Sequence, residues 1–283
     1  MDPVVIVMVL AAAVMHAVWN TVMKVGHDRL MTMTVVIGTS GLLAPALIAY
    51  GPQPAPESWP YIILSAFIHC AYFFFLIQAY AVGDLSHAYP LARGSAPLIV
   101  ALGGAVFADE WLSPVEWLGV AMLSSGIISL LLTGSYRIGG GDWRTLFYPI
   151  ATGLMIASYT VADGLGVRLS GNPATYIGWL LVLSAGPICV FAAYRRRGAA
   201  LDFLRANWKS NVGGGVLAFS AYSLAIWALT LGAMVHVSAL RETSVVSAAL
   251  IGTRLLGEPF GWRRVVSAAI VAAGVMVMHV AAS

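Results

Sequence analysis

Apolar residues gather along the chain into ten stretches, at about 3–24, 32–50, 60–82, 86–107, 114–134, 145–167, 174–194, 211–231, 234–256 and 262–281. A helix needs roughly 20 such residues to cross the hydrocarbon of a bilayer. The pattern therefore predicts an all-α integral membrane protein with ten transmembrane helices. The polar punctuation is short. Gly83-Asp84-Leu85-Ser86 leaves room only for a hairpin between the third and fourth spans, and a loop around Gly139-Gly140-Gly141-Asp142 separates the fifth from the sixth. The longest and most basic connection, between the seventh and eighth spans, runs from Arg195-Arg196-Arg197 to Lys209.

Polar and glycine positions repeat. Gly83, His87, Leu91 and Ser95 recur as Gly232, His236, Leu240 and Ser244 at a constant offset of 149, and Glu110 and Gly126 recur as Glu258 and Gly274 at 148. Apolar residues alone align by chance between any two membrane helices, but matched polar positions over two consecutive helices do not. The chain is expected to divide into two five-helix repeats, residues 1–138 and 139–283. With an odd number of spans per copy, the second copy starts from the opposite side of the membrane. The repeats are then inverted, and secondary transporters use that symmetry to exchange inward and outward conformations about a midplane site.

Composition agrees. Of 283 residues 60% are hydrophobic and 10% charged, whereas a soluble domain carries about 25% charged residues. The net charge of +3 is scattered over short loops and forms no basic stripe for nucleic acid. Cys70 and Cys189 sit inside apolar runs and read as buried hydrophobes. The opening Met1-Asp2-Pro3 lacks the positive region of a cleavable signal, so the first stretch is expected to stay as a span. Loops after odd-numbered spans hold eleven basic residues and loops after even-numbered spans only Arg168. By the positive-inside rule both termini lie outside a bacterial-type plasma (inner) membrane.

The words "HAVWNTVMK" (His16 to Lys24), "YPLARGSAP" (Tyr89 to Pro97), "ALRETS" (Ala239 to Ser244), "DEWLSPVEWLG" and "GEPFGW" resemble the EamA-type transporters of the drug/metabolite transporter superfamily. The resemblance spans essentially the whole chain. It implies the ten-helix fold and a transport activity, and it implies that the fourth and ninth spans line a central cavity. It leaves the substrate open, since such transporters carry amino acids, nucleotide precursors, sugars, amines and drugs. Members are usually drawn with both termini in the cytoplasm; the charge count here points the other way.

Ionisable groups inside a bilayer are costly and ask for a partner or a purpose. Arg93, between Pro90 and Pro97, aligns with Glu242, which follows Arg241. A guanidinium could clamp a carboxylate or phosphonate, and Glu242 could hold an amine or a proton; equally, the two could simply pair and fix helix packing. His16, Trp19, Asn20 and Lys24 share one face of the first span at helical spacing. The sixth span offers Ser158, Tyr159, Thr160 and Asp163, the third His69, Tyr72 and Gln78, and the eighth Tyr222. The candidate substrate site is thus Arg93, Glu242, Arg241, Trp19, Asn20, Tyr72, Tyr89, Tyr159 and Tyr222, with Glu242, His16 and Asp163 as candidates for proton coupling. The bland alternative is bundle packing and interhelical hydrogen bonding. A metal site from His16, His69 and His87 has no supporting ligand spacing, and Glu110 and Glu258 read as span ends.

No nucleophile–base pair and no H-E-x-x-H zinc motif is present, so an intramembrane enzyme is not indicated; nor is a cofactor. The reading is a secondary transporter of a small amino-acid-like, zwitterionic or anionic metabolite, working by alternating access and coupled to protons. An exporter of lipophilic cationic drugs or amines and a channel are the alternatives. Lipid and substrate are the expected partners, with the chain a monomer or homodimer. A reporter enzyme active only in the cytoplasm, fused after Ser283, should be silent; an active fusion would reverse the orientation.

Overall fold

The structure, a computed structural model, describes residues 2–26, 28–49, 51–82, 85–129, 142–196, 199–247, 250–251 and 262–281. Glu258, Arg254 and the loop glycines 139–141 lie outside these residues, as do the side chains of Lys24, His87, Tyr89 and Pro90. Among the described residues there is no strand and there are ten α-helices: α1 (Pro3–Val25), α2 (Arg29–Ile48), α3 (Trp59–Val82), α4 (Leu85–Ala108), α5 (Pro114–Ser129), α6 (Arg144–Leu169), α7 (Pro173–Arg195), α8 (Ala199–Leu231), α9 (Met234–Arg241) and α10 (Trp262–Ala281). Several start where the sequence supplies a cap. Asp2 accepts the Val4 amide at 2.7 Å ahead of Pro3, Asp28 accepts that of Met31 at 3.1 Å, and Asn172 accepts that of Ala174 at 3.1 Å ahead of Pro173. Each cap satisfies an amide that the first helical turn leaves open.

Among the described residues, seven helices are long and apolar enough to cross a membrane. Of the others, α5 and α10 each border residues outside the description, and α9 stops after eight residues at Arg241, with helix resuming at 244–247. The expected loop after the seventh span is also mostly helix. α8 begins at Ala199 and runs for 33 residues, about 50 Å at 1.5 Å per residue, well beyond a hydrocarbon core of about 30 Å. Ala199, Ala200 and Leu201 are strong helix formers and Asp202 complements the helix dipole in the first turn. The polar residues Arg205 to Ser210 therefore extend the helix out of the lipid instead of ending it.

Polarity is inverted relative to a water-soluble protein. Leu42 is 83% exposed and Phe67 75%, whereas Asp163, Thr152 and Thr175 are fully buried. That distribution fits lipid outside and polar groups inside. Hydroxyls within the helices turn back onto their own carbonyls: Thr39 to Val35, Thr152 to Tyr148, Thr160 to Ile156 and Ser184 to Leu180, each at 2.7 Å.

The most extensive helix contacts join the two halves of the chain: α5 with α10, α2 with α7, α3 with α6 and α1 with α8. α5 and α10 meet at glycines. A Cβ on Gly274 would lie 2.7 Å from the Leu123 nitrogen and 2.8 Å from the Gly119 carbonyl oxygen, both backbone atoms that cannot yield. Gly274→Ala should therefore destabilise the bundle by about 1–3 kcal/mol through overpacking. Gly213→Ala, where an added Cβ meets nothing within 4 Å, should be neutral or stabilising by up to about 1 kcal/mol from helix propensity. Thermal unfolding in detergent separates the two.

Candidate functional site

The centre of the bundle is organised by a helix that breaks. In an unbroken α9 the Val245 amide would donate to the Arg241 carbonyl, four residues back. Instead it donates to the Glu242 carbonyl at 2.9 Å, and Thr243 and Val246 likewise bond three residues back. The Arg241 carbonyl is thereby left without its helical donor, deep in the protein. Arg93 on α4 supplies the replacement: its Nη2 donates to that carbonyl at 3.3 Å and to the Ser244 hydroxyl at 3.0 Å. Its Nε stands 3.0 Å from Glu242 Oε2, with both side chains buried. One guanidinium thus closes the broken backbone and neutralises a carboxylate.

Arg93 and Arg241 face a cavity of about 60 Å³ among α1, α2, α3, α4, α6, α7, α8 and α9. Both charged residues on its wall are cations; Glu242 sits behind them. Aromatic rings form much of the rest of the wall, with small and aliphatic residues and Ser40 and Ser184 between them. His69 stacks on Tyr159 with centroids 4.1 Å apart and meets Tyr222 edge-on at 5.3 Å. Tyr72 closes on Tyr159 at 5.6 Å. Trp19 donates Nε1 to His16 Nδ1 at 3.2 Å. Sites that enclose drug-sized ligands measure about 300–1,000 Å³, so this cavity is contracted around water-sized space.

Behind Tyr222 lies a buried acid. Asp163 accepts the Tyr222 hydroxyl at 2.6 Å on Oδ2 and the Tyr176 hydroxyl at 3.2 Å on Oδ1. It does not line the cavity itself.

The two faces of the bundle are closed differently. Ile6 and His279, near the two ends of the described chain, line one cleft with His236, which defines a terminal face. There α4 ends in Asp109, whose left-handed φ of 55° is tolerated best by Asp, Asn and Gly. This turn aims Glu110 across the bundle. Glu110 pairs with Arg168 at 2.8 Å and accepts the Met234 amide at 2.8 Å. Arg168 also caps the end of α8, donating to the Leu229 carbonyl at 2.9 Å and the Gly232 carbonyl at 2.8 Å. Beside it, His236 stands 3.1 Å from Glu116, which holds Ser113 in a capping box. On the opposite, basic face a vestibule of about 640 Å³ opens between α2, α3 and α7, with Arg195 and Arg196 at its rim. Phe73 belongs to the walls of both vestibule and cavity.

The structure therefore brings together Arg93, Arg241, Trp19, His16, Tyr72, Tyr159 and Tyr222, and seats Glu242 and Asp163 one layer behind. Asn20 turns away, its amide donating to the His16 carbonyl of its own helix at 2.9 Å. Gln78 lies in the vestibule, and the Tyr89 side chain is outside the description. Sequence reasoning passed over Ser40 and Ser184 on the cavity wall, and over Tyr176 and Ser65 around Asp163. Serines are too common in membrane helices to stand out. The spacing Ser65–His69, one helical turn, was a usable signal.

The family profile described as "EamA: EamA-like transporter family" matches residues 3–132 and again residues 143–280. No curated protein matches the chain at a significant level. Among solved structures 29 chains match. One, described only as "Crystal structure of protein", superposes with a TM-score of 0.73 at 16% identity over 98% of this chain and 96% of its own; at that identity the likeness is one of fold.

Removing one member of a buried ion pair leaves the other uncompensated, at a cost of about 3–5 kcal/mol. Arg93→Ala should be the more damaging single change, because it also strips the Arg241 carbonyl of its donor; Glu242→Gln should cost less. Combining Glu242→Gln with Arg93→Gln should recover part of the loss in thermal unfolding, and strict additivity would show that the two do not interact.

Proposed function

The chain belongs to the EamA-like transporter family of the drug/metabolite transporter superfamily, and on that premise we propose that it is a proton-coupled secondary carrier that moves a small anionic or zwitterionic metabolite across the inner membrane by alternating access. The observation that carries the substrate class is the pair of guanidinium groups, Arg93 and Arg241, on the wall of the central cavity with the compensating Glu242 behind them. Such a wall offers planar donors to a carboxylate or phosphonate and repels a cation that has no anionic group of its own.

Alternating access is supported by the unequal closure of the two faces. The terminal face is shut by the Glu110–Arg168 and Glu116–His236 contacts, each joining the first half of the chain to the second. The basic face carries the open vestibule and a half-exposed Arg196–Asp28 pair at 3.1 Å. A contracted site between a sealed face and an open one suits a carrier; a channel needs a continuous wet path. The reading includes two inverted five-helix repeats, residues 1–138 and 139–283, supported by the double match of the family profile and by reciprocal packing. α3 packs on the first helix of the second half and α8 on the first helix of the first half. It includes both termini outside, supported by the basic face carrying Arg29, Arg195 and Arg196. One copy holds every residue of the site, so a monomer suffices. The box of His69, Tyr72, Tyr159 and Tyr222 favours a second reading, a lipophilic amine held by aromatic faces.

A thermal-shift screen of purified protein against small carboxylates, phosphonates, amino acids and aromatic amines should give its largest stabilisation with a compound carrying an anionic group. In liposomes that compound should show counterflow, which a channel does not. Arg241→Gln, which removes a cavity guanidinium and leaves the Arg93 contacts in place, should cut its uptake at least about tenfold, the loss of one charge-assisted hydrogen bond of about 1.5–3 kcal/mol, while sparing a cationic compound. Preference for amines, with uptake indifferent to Arg241, would establish the second reading instead.

A further inference from the structure

We propose that Asp163 is the proton-binding site of this carrier, reached from the cavity through the Tyr222 hydroxyl, and that a proton there strengthens anion binding at Arg93 and Arg241. The inference rests on the carrier reading and selects among its buried ionisable groups by their partners.

Glu242 is already matched, with Arg93 at 3.0 Å and Arg241 next to it in the chain. His16 Nδ1 accepts the Trp19 indole N–H, and His69 Nδ1 is engaged by Ser65 at 2.8 Å to the carbonyl and 3.3 Å to the hydroxyl. Asp163 is different. It is fully buried in α6 and forms no ion pair among the described residues. Its hydrogen-bond donors are neutral: Tyr222 from α8 and Tyr176 from α7. The nearest cations on the other side of Tyr222 are those of the cavity wall, Arg241 on α9 and Arg93 on α4. A hydroxyl shell of this kind can serve both states, since hydroxyls donate to a carboxylate and one can instead accept from a protonated carboxyl. Tyr222 belongs to the cavity wall and bonds Asp163 at 2.6 Å. It can pass its own proton to Oδ2 and take a replacement from the cavity, so that no charge remains on the phenol.

The consequence is a charge switch. With Asp163 ionised, the two guanidinium groups and the two carboxylates of the site cancel. With Asp163 protonated, one positive charge is left over, and it faces the cavity. The proton and an anion therefore favour each other's binding, and by reciprocity each raises the other's affinity equally. Proton and anion would travel together.

Difference infrared spectroscopy of the protein in lipid nanodiscs, titrated with pH, reads the site without any substrate. A protonated-carboxyl band should appear on acidification, vanish in Asp163→Asn and persist in Glu242→Gln. Tyr222→Phe, which keeps the acid and removes its shortest donor, should displace that titration. A band that survives Asp163→Asn, or that disappears in Glu242→Gln, overturns the assignment. For coupling, the probes are methylphosphonate, acetate and glycine. Binding of the best of them should tighten as pH falls, by up to about tenfold per pH unit for one linked proton, and should become independent of pH in Asp163→Asn. Binding that weakens as pH falls, or that keeps its pH dependence in Asp163→Asn, sinks the coupling. If no probe binds the wild type, the carrier reading loses its anion site, while the infrared result still decides for or against Asp163.

Discussion

A carbonyl stripped of its helical donor in the middle of a lipid-embedded bundle has no water to turn to, and the site is built on how that need is met. Arg93 reaches from α4 to the Arg241 carbonyl, the Ser244 hydroxyl and the Glu242 carboxylate together. Backbone breaks at membrane depth persist only where protein or an aqueous cavity satisfies them. Here the satisfying group is itself a cation, so the break brings a charge to the centre, and that charge in turn lets a carboxylate be buried beside it. Removing the guanidinium would undo backbone, ion pair and cavity wall in one step. The helix break and the wall of the central cavity are one structure.

Much of this was legible in the chain before any coordinates. The hydrophobic stretches place seven of the ten helices to within a few residues at both ends, and the offset of 149 sets Arg93 opposite Glu242. The break itself was not legible. The run Ala239-Leu240-Arg241-Glu242-Thr243-Ser244 contains neither proline nor glycine, the residues that usually mark one; the bend is dictated by what Arg93 offers from another helix. The early start of α8 was hidden for the opposite reason. Its polar residues read as a loop when lipid is assumed to begin and end each helix, yet a helix needs no lipid to continue. Glu110 read as a span end because its partner, Arg168, lies 58 positions away, and only the turn at Asp109 brings them together. Asn20 shared the helical face of Trp19 on paper, but a short amide can satisfy itself on its own helix.

The same physics separates the two faces. On the terminal face Arg168 is only 32% exposed and Glu110 15%, and the pair is supported by three backbone groups. On the basic face Arg196 is 49% exposed and Asp28 30%, and the pair is supported by one backbone group, the Met31 amide. Exposed pairs contribute about 0–1 kcal/mol; a sheltered pair with backbone hydrogen bonds holds far more firmly. For the proposed carrier, opening towards the basic face is thus the easier motion from this arrangement. Phe73 is the side chain that stands between vestibule and cavity on that route.

Under the proposed arrangement of two inverted repeats, opposite charges at matching positions follow from the symmetry itself. In a pair of inverted repeats, a residue near the pseudo-two-fold axis faces its own counterpart. Arg93 and Glu242 are 149 positions apart and their side chains meet at 3.0 Å. Had both copies kept arginine, two like charges at that separation would repel by on the order of 5 kcal/mol at an effective dielectric of about 20. Two glutamates would do the same. A duplicated membrane protein that keeps an ionisable group on its axis must therefore let one copy change sign or go neutral. Divergence at this position is a condition for burying any charge there at all, and the asymmetry of the cavity, two cations towards it and the acid behind, is built on that divergence.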